Sequence, residues 1–308
     1  VCLEKDLPSE SEVFRIWGSD RYQTALAVSR LRFNDGLACK VTIASGRAFP
    51  DAITAAANLR HGPLLLVPGS SLPSSVRAEI LRVKPDAIEI YGGRGVITPT
   101  VSHQLGALVG GVIIANGGTT RYGTAAVATY DEQAGSPVYI ATGVDFPDAL
   151  AASALIRRER AAFMLVGPDS IPAETQFALN VLKPSRIVVL GGTGAVSARV
   201  ERALRTFTTG SVTRITGVDR FDTAVQIART IEPGGSSEYT IVSGRAFPDA
   251  LAAAALGGNP ILLVEPDSIP DVVRELLLER PPHRITIIGG PGAVSESVAA
   301  ELEGYLAD

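Results

Sequence analysis

Ser45-Gly-Arg-Ala-Phe-Pro-Asp51 is spelled twice more with few changes, as Thr142-Gly-Val-Asp-Phe-Pro-Asp148 and Ser243-Gly-Arg-Ala-Phe-Pro-Asp249. Each copy follows an apolar pair (Ile43-Ala44, Ile140-Ala141, Ile241-Val242) and runs on into an alanine-rich segment. A buried strand end, a glycine turn and a proline suited to a first helical turn make one unit, strand–turn–helix. The Asp after the proline falls where the helix dipole favours a carboxylate and where backbone N–H groups lack partners. Asp51, Asp148 and Asp249 are therefore read first as structural residues of the turn.

Other landmarks keep the same period of about 100 residues. Arg21, Arg121 and Arg220 stand in Asp-Arg-Tyr, Thr-Arg-Tyr and Asp-Arg-Phe, and the glycine pairs Gly92-Gly93, Gly191-Gly192 and Gly289-Gly290 close the series. Self-similarity at a fixed period marks units that stack. The chain divides into a tail (1–12) and three repeats (13–108, 109–208 and 209–308).

Each repeat reads as four strand and helix pairs. A first strand (13–17, 112–115, 212–216) leads into a helix; in the third copy its apolar positions Phe221, Ala224, Val225, Ala228 and Ile231 have helical spacing. The second strand carries the Phe-Pro-Asp turn. The third, at 63–67, 162–166 and 260–264, is apolar on both faces, as a buried parallel strand should be. Its helix opens near Pro73, Pro172 or Pro270 and stops before Lys84-Pro85, Lys183-Pro184 or Arg280-Pro281. The fourth strand enters a Gly-Gly-x-Gly loop, after which Thr98, Ser197 and Ser295 read as helix N-caps. The fold class is α/β, with three tandem Rossmann-like or flavodoxin-like repeats, each a small parallel sheet covered on both faces. Three such units most economically close into a ring with pseudo-threefold symmetry.

A chain of 308 residues, 46% hydrophobic, has ample material for a core. Its apolar runs stop well short of the roughly 18 residues of a membrane helix, so no membrane span is expected. A net charge of −4 argues against a general nucleic-acid binder. Only four of the 28 cations are lysine (Lys5, Lys40, Lys84, Lys183), which suits forked recognition of carboxylate or phosphate, although a coding bias toward arginine gives the same count. His61, His103 and His283 are far apart and there is no Cys-x-x-Cys, so no metal and no other cofactor is expected. Cys2 and Cys39 are either one disulfide of an exported protein or two free thiols.

The Gly-Gly-x-Gly loops are either tight turns or weak anion nests, and a nucleotide- or phosphosugar-binding α/β enzyme is the alternative function they suggest. They follow the fourth strand, not the first, and no Gly-Lys-Ser/Thr phosphate loop accompanies them. No Gly-x-Ser-x-Gly elbow or repeated histidine offers catalysis, so the chain itself is not expected to be an enzyme. Arg21, Arg121 and Arg220 lie just inside a helix start, where a cation opposes the dipole and needs compensation. Either each pairs with the Asp of its own repeat (Asp51, Asp148, Asp249), or the three line a groove for an anionic ligand.

The sets Ile16-Trp-Gly-Ser-Asp-Arg-Tyr-Gln-Thr-Ala25, Phe49-Pro-Asp-Ala52, Gly62-Pro-Leu-Leu-Leu66 and Ile90-Tyr-Gly-Gly93, matched in the third copy, resemble the cell-wall-binding repeat of type 2. The resemblance covers nearly the whole chain. It implies a non-catalytic module of the Gram-positive cell surface, holding a secreted protein non-covalently to an anionic wall polysaccharide through three units in a triangle. It also implies a part in attachment for the Pro-Ile-Leu-Leu segment, here Pro63, Leu64, Leu65 and Leu66, and Pro260, Ile261, Leu262 and Leu263. Copy two departs, with Ala162-Phe-Met-Leu165 and with Thr120 in place of the Asp before the arginine. The repeats leave no room for a second domain within the chain, which is either a stand-alone wall protein or the binding region of a longer product.

Overall fold

A computed structural model describes residues 12–36, 38–60 and 62–307. Strands and helices alternate throughout. Repeat one carries β1 (Glu12–Ile16), α1 (Arg21–Arg32), β2 (Lys40–Ser45), α2 (Phe49–Ala57), β3 (Leu64–Val67), α3 (Ser74–Val83), β4 (Ala87–Tyr91) and α4 (Pro99–Gly106). Repeat two carries β5 (Val112–Asn116), α5 (Arg121–Val127), β6 (Val138–Thr142), α6 (Pro147–Glu159), β7 (Ala162–Val166), α7 (Ala173–Leu182), β8 (Ile187–Leu190) and α8 (Ala198–Leu204). Repeat three carries β9 (Val212–Ile215), α9 (Arg220–Ile231), β10 (Glu238–Ser243), α10 (Phe247–Ala253), β11 (Ile261–Val264), α11 (Asp271–Glu279), β12 (Arg284–Ile288) and α12 (Glu296–Glu303).

The strands form three four-stranded sheets in the orders β3-β2-β4-β5, β7-β6-β8-β9 and β11-β10-β12-β1, and every neighbouring pair is parallel. The sequence reading places the four strands of one repeat in one sheet, and this is corrected. Each sheet takes its second, third and fourth strands from one repeat and its edge strand from the next, and β1 closes the circle by pairing with β12 from Glu12↔Arg284 to Ile16↔Ile288. The first helix of a repeat then crosses the junction. α1 leaves β1 in the third sheet and packs on β3 of the first; α5 and α9 do the same against β7 and β11. Strand and helix on opposite sides of each boundary stitch the three sheets together.

The alanine-rich helices α2, α6 and α10 pack on one another around the pseudo-threefold axis. Ala52, Ala55, Ala56, Ala149, Ala151, Ala152, Ala250 and Ala252 are among the residues fully buried there. Methyl side chains let three helix backbones approach closely, and a larger residue would overpack the axis at about 1–3 kcal/mol. Separate apolar clusters fill the outer face of each sheet under α3 and α4, α7 and α8, or α11 and α12. Thr98, Ser197 and Ser295 cap α4, α8 and α12, each accepting from the N–H three residues on, as their spacing predicts.

Candidate functional site: the crevices between repeats

In the first sheet the chain runs from β2 outward to β3, then returns to β4 on the other side of β2. The crevice between the carboxyl ends of β2 and β4 is therefore the topological switch point, where open α/β sheets bind ligands. Asp51, in the first turn of α2, sits at that crevice beside Gly92, which follows β4. A Cβ on Gly92 would lie 3.1 Å from Asp51 Oδ2; one on Gly191 would lie 2.0 Å from Asp148 Oδ2. Gly92, Gly191 and Gly289 have φ of 120°, 86° and 123°, so these turns need glycine for backbone conformation as well as for space. The second glycines, Gly93, Gly192 and Gly290, each accept two backbone N–H bonds from within their own turn, such as Val96 and Ile97 to Gly93.

The carboxylates are not helix caps. The N-cap of α2 is Ala48, without a side-chain bond, and Asp51 Oδ1 has no hydrogen-bond partner although Asp51 is only 6% exposed. Burial pushes the Asp51 carboxyl above its ordinary range; a hydrogen bond from Thr124 and the charge of Arg121 oppose the shift. Asp148 is pushed up to about 6, by burial first and by Asp145 second, against the pull of Arg220. Asp249 occupies the same place beside Gly289.

Each arginine is anchored within its own repeat by a backbone carbonyl. Arg21 Nη1 donates to Gly46 O, Arg121 Nη1 to Gly143 O, and Arg220 Nη1 to Gly244 O at 2.8 Å. These bonds compensate a cation at a helix start. The charge partners lie one repeat earlier, which corrects the pairing of Arg121 with Asp148 and of Arg220 with Asp249. Arg121 faces Asp51 and stacks 5.8 Å above the ring of Phe49. Arg220 Nη2 meets Asp145 Oδ2 at 3.4 Å and faces Asp148. The offset follows from the crossing helices, which carry each arginine across a junction. Phe49 and Phe146 meet with ring centroids 6.3 Å apart, so Phe-Pro-Asp turns of successive repeats converge at one end of the axis. Thr120 caps α5 as Asp20 and Asp219 cap α1 and α9, so the departure in copy two preserves the cap.

The Pro-Leu-Leu-Leu segments lie elsewhere. Leu64, Leu65, Leu66, Ile261, Leu262 and Leu263 are at most 2% exposed, on β3 and β11. Pro63 and Pro260 are buried just before those strands, their carbonyls accepting from Thr42 and Thr240 at 2.9 Å. Cys2 lies outside the described residues, and with it the Cys2–Cys39 pairing.

Two further cations stand at the first crevice. Arg47 and Arg94, in the turns after β2 and β4, are exposed and form no side-chain ion pair among the described residues. Their counterparts are Val144 and Thr193 at the second crevice, and Arg245, held by Glu265 at 2.8 Å, and Pro291 at the third. Neither arginine is singled out by the sequence motifs, and only comparison of the three copies shows that position 94 carries a charge in the first copy alone.

Comparison with known proteins bears on the whole chain. The family model described as "Cell wall binding domain 2 (CWB2)" matches residues 15–102, 116–201 and 214–299. Among curated relatives, N-acetylmuramoyl-L-alanine amidase LytC of Bacillus subtilis (strain 168) is 27% identical over 96% of this chain and 59% of its own length. The amidase enhancer of the same organism is 33% identical over 60% of this chain and 25% of its own length. The chain thus spans less than two thirds of either relative. Two solved structures share the fold: Cwp6 from Clostridium difficile, with a TM-score of 0.87 at 24% identity over 97% of this chain and 48% of that one, and Cwp8 from Clostridium difficile, with a TM-score of 0.84 at 24% identity over 96% and 52%. With three matches in tandem covering most of its length, the chain belongs to the cell wall binding domain 2 family.

Proposed function

We propose that these three domains attach the chain, without catalysis, to an anionic polymer of the bacterial cell wall at the cell surface, and that the polymer lies across the crevices at the carboxyl ends of the strands. The carrying observation is at the first crevice, where the turns after β2 and β4 carry the exposed Arg47 and Arg94 and where Asp51 faces Arg121 of the next repeat. A polymer spanning the junctions gains from several weak contacts held at fixed spacing. Such contacts weaken with salt. The role that the family resemblance gives the Pro63–Leu66 and Pro260–Leu263 segments then runs through the sheets they hold, since their side chains are in the core.

The Gly-Gly-x-Gly alternative loses support at its own turns. In each, two of the N–H groups that would cradle a phosphate already bond to the second glycine's carbonyl. Sedimentation with purified walls, intact and stripped of anionic polymer, at low and high salt, separates the readings. Pelleting only with intact walls, reversed by salt, is expected. A chain that stays in the supernatant with walls of its own source, and is instead stabilised against heat by nucleotides, would reverse the choice.

A further inference from the structure

Between repeats one and two a cleft of about 1,060 Å³ opens near the amino ends of β2, β6 and β7 and runs along the sheet to Tyr91 and Asn116, the last residues of β4 and β5. Four of its lining residues are Asn58, at the end of α2, Glu89 and Tyr91 on β4, and Asn116 on β5. Tyr91 and Asn116 are register partners.

The other two copies supply an internal control. In register or motif position, Asn58, Glu89, Tyr91 and Asn116 correspond to Leu155, Val188, Leu190 and Ile215 in the second unit, and to Leu256, Thr286, Ile288 and Ile16 in the third. Seven of those eight are aliphatic and belong to, or pack against, the apolar core around the axis. The second copy also places the bulky Tyr139 where the first has Thr42, and its hydroxyl donates to Glu159. One unit of three has thus replaced a continuous apolar surface with amides, a carboxylate and a phenol, and has left space beside them. Polar groups in a buried position cost stability unless bonded. Asn58 is 5% exposed; its Nδ2 donates to Thr54 O at 2.8 Å while its Oδ1 has no partner.

We propose that this cleft binds a neutral, hydroxyl-rich saccharide. The charged groups beside the amides are paired, Lys40 with Glu89 at 2.6 Å and Arg60 with Glu132, as is Arg158 with Glu232 at the edge, while the exposed rim residues Asp131 and Arg160 carry opposite charges and leave no net excess of either sign. A charged ligand would have to break such pairs, whereas sugar hydroxyls can add to the remaining lone pairs and N–H groups and can satisfy Asn58 Oδ1. Tyr130, 63% exposed at the cleft, offers an aromatic face to the apolar side of a sugar ring. The volume is at the upper end of ligand pockets, which run to about 1,000 Å³, and leaves room for more than one ring.

The test titrates the whole chain with neutral hexoses, N-acetylhexosamines and their disaccharides, using saturation-transfer NMR and calorimetry. Methyl glycosides stand for sugars within a polymer and the free monosaccharides for a soluble ligand; whichever series binds tighter identifies the source. The triple variant Glu89→Val, Tyr91→Leu, Asn116→Ile imports the second unit's residues, and Asn58→Leu alone serves if the triple variant does not fold. Binding by at least one sugar is expected, weakened at least tenfold by the triple variant or fivefold by Asn58→Leu, and unaffected by Arg47→Ala with Arg94→Ala. No binding by any member of the panel, or unchanged binding in the variants, would overturn the proposal, as would tighter binding of a uronate than of its neutral parent sugar.

Discussion

The crevice between repeats one and two and the crevice between repeats two and three share a backbone but not a charge. At the first, Asp51 accepts from Thr124 and faces Arg121, with Arg47 and Arg94 exposed beside it. At the second, Val144 and Thr193 replace those arginines, and Asp148 has the carboxylate of Asp145 for a neighbour as well as Arg220. Burial raises both aspartates. What differs is the local answer to it: a donor and a guanidinium in one place, a second anion in the other. The turn geometry is thus a fixed frame, and ligand chemistry can be varied on its rim without disturbing it.

The harshest way to break the comparison is at the glycine. Gly191→Ala drives a methyl into the Asp148 carboxylate and strains a positive φ, and should cost about 3 kcal/mol or more. Gly92→Ala, with 3.1 Å to Asp51, should cost roughly 1–2 kcal/mol, most of it backbone strain. Thermal melting of the two variants ranks them, and equal losses would mean that the carboxylate moves aside freely.

Asp148 gives the next effect. Its folded pKa of about 6 lies above the unfolded value of 3.8, so the folded state holds a proton that the unfolded state has released between those pH values. Stability therefore falls as pH rises from about 4 to about 6, and the cost stays in place above that. Asp148→Asn should flatten this slope and stabilise the chain at pH 8 by about 1–2 kcal/mol, read as a urea midpoint at each pH.

Wall binding tests the rims themselves. Arg47→Ala with Arg94→Ala should weaken pelleting with intact walls roughly tenfold at low salt, at about 0.5–1 kcal/mol for each exposed charge. The reverse graft, Val144→Arg with Thr193→Arg, should tighten it a few-fold, the smallest of these effects. If the graft changes nothing while the deletion does, polymer contact is confined to the first crevice.

Much of this frame was legible beforehand. The Phe-Pro-Asp turn, the start of α3 after Pro73 and the caps Thr98, Ser197 and Ser295 are local features, decided by a few adjacent residues. The partner of β5 was not legible. Val112–Asn116 carries an apolar pattern that says it is a strand, and nothing in it names Ala87–Tyr91 as its neighbour. Pairing between parallel strands is non-local, and periodicity is blind to it. The same blindness set Arg121 against Asp148 instead of Asp51. The polar residues of the cleft escaped for another reason: only Tyr91 belongs to a motif, and Asn58, Glu89 and Asn116 stand out only when the three copies are laid side by side.

Closure of the ring by β1 has a consequence in time. Glu12–Ile16 is made before every other described strand, and its strand partner among the described residues, Arg284–Ile288, is made after all of them. The first two sheets can be completed as the chain emerges, each as soon as the next repeat delivers its edge strand, but β1 stays unpaired until β12 of the third sheet has been made. Until then two strand edges stand open, which are templates for pairing with another chain. The contact of greatest sequence separation is thus also the one that ends the chain's exposure to misassembly, and it should set the slowest folding phase.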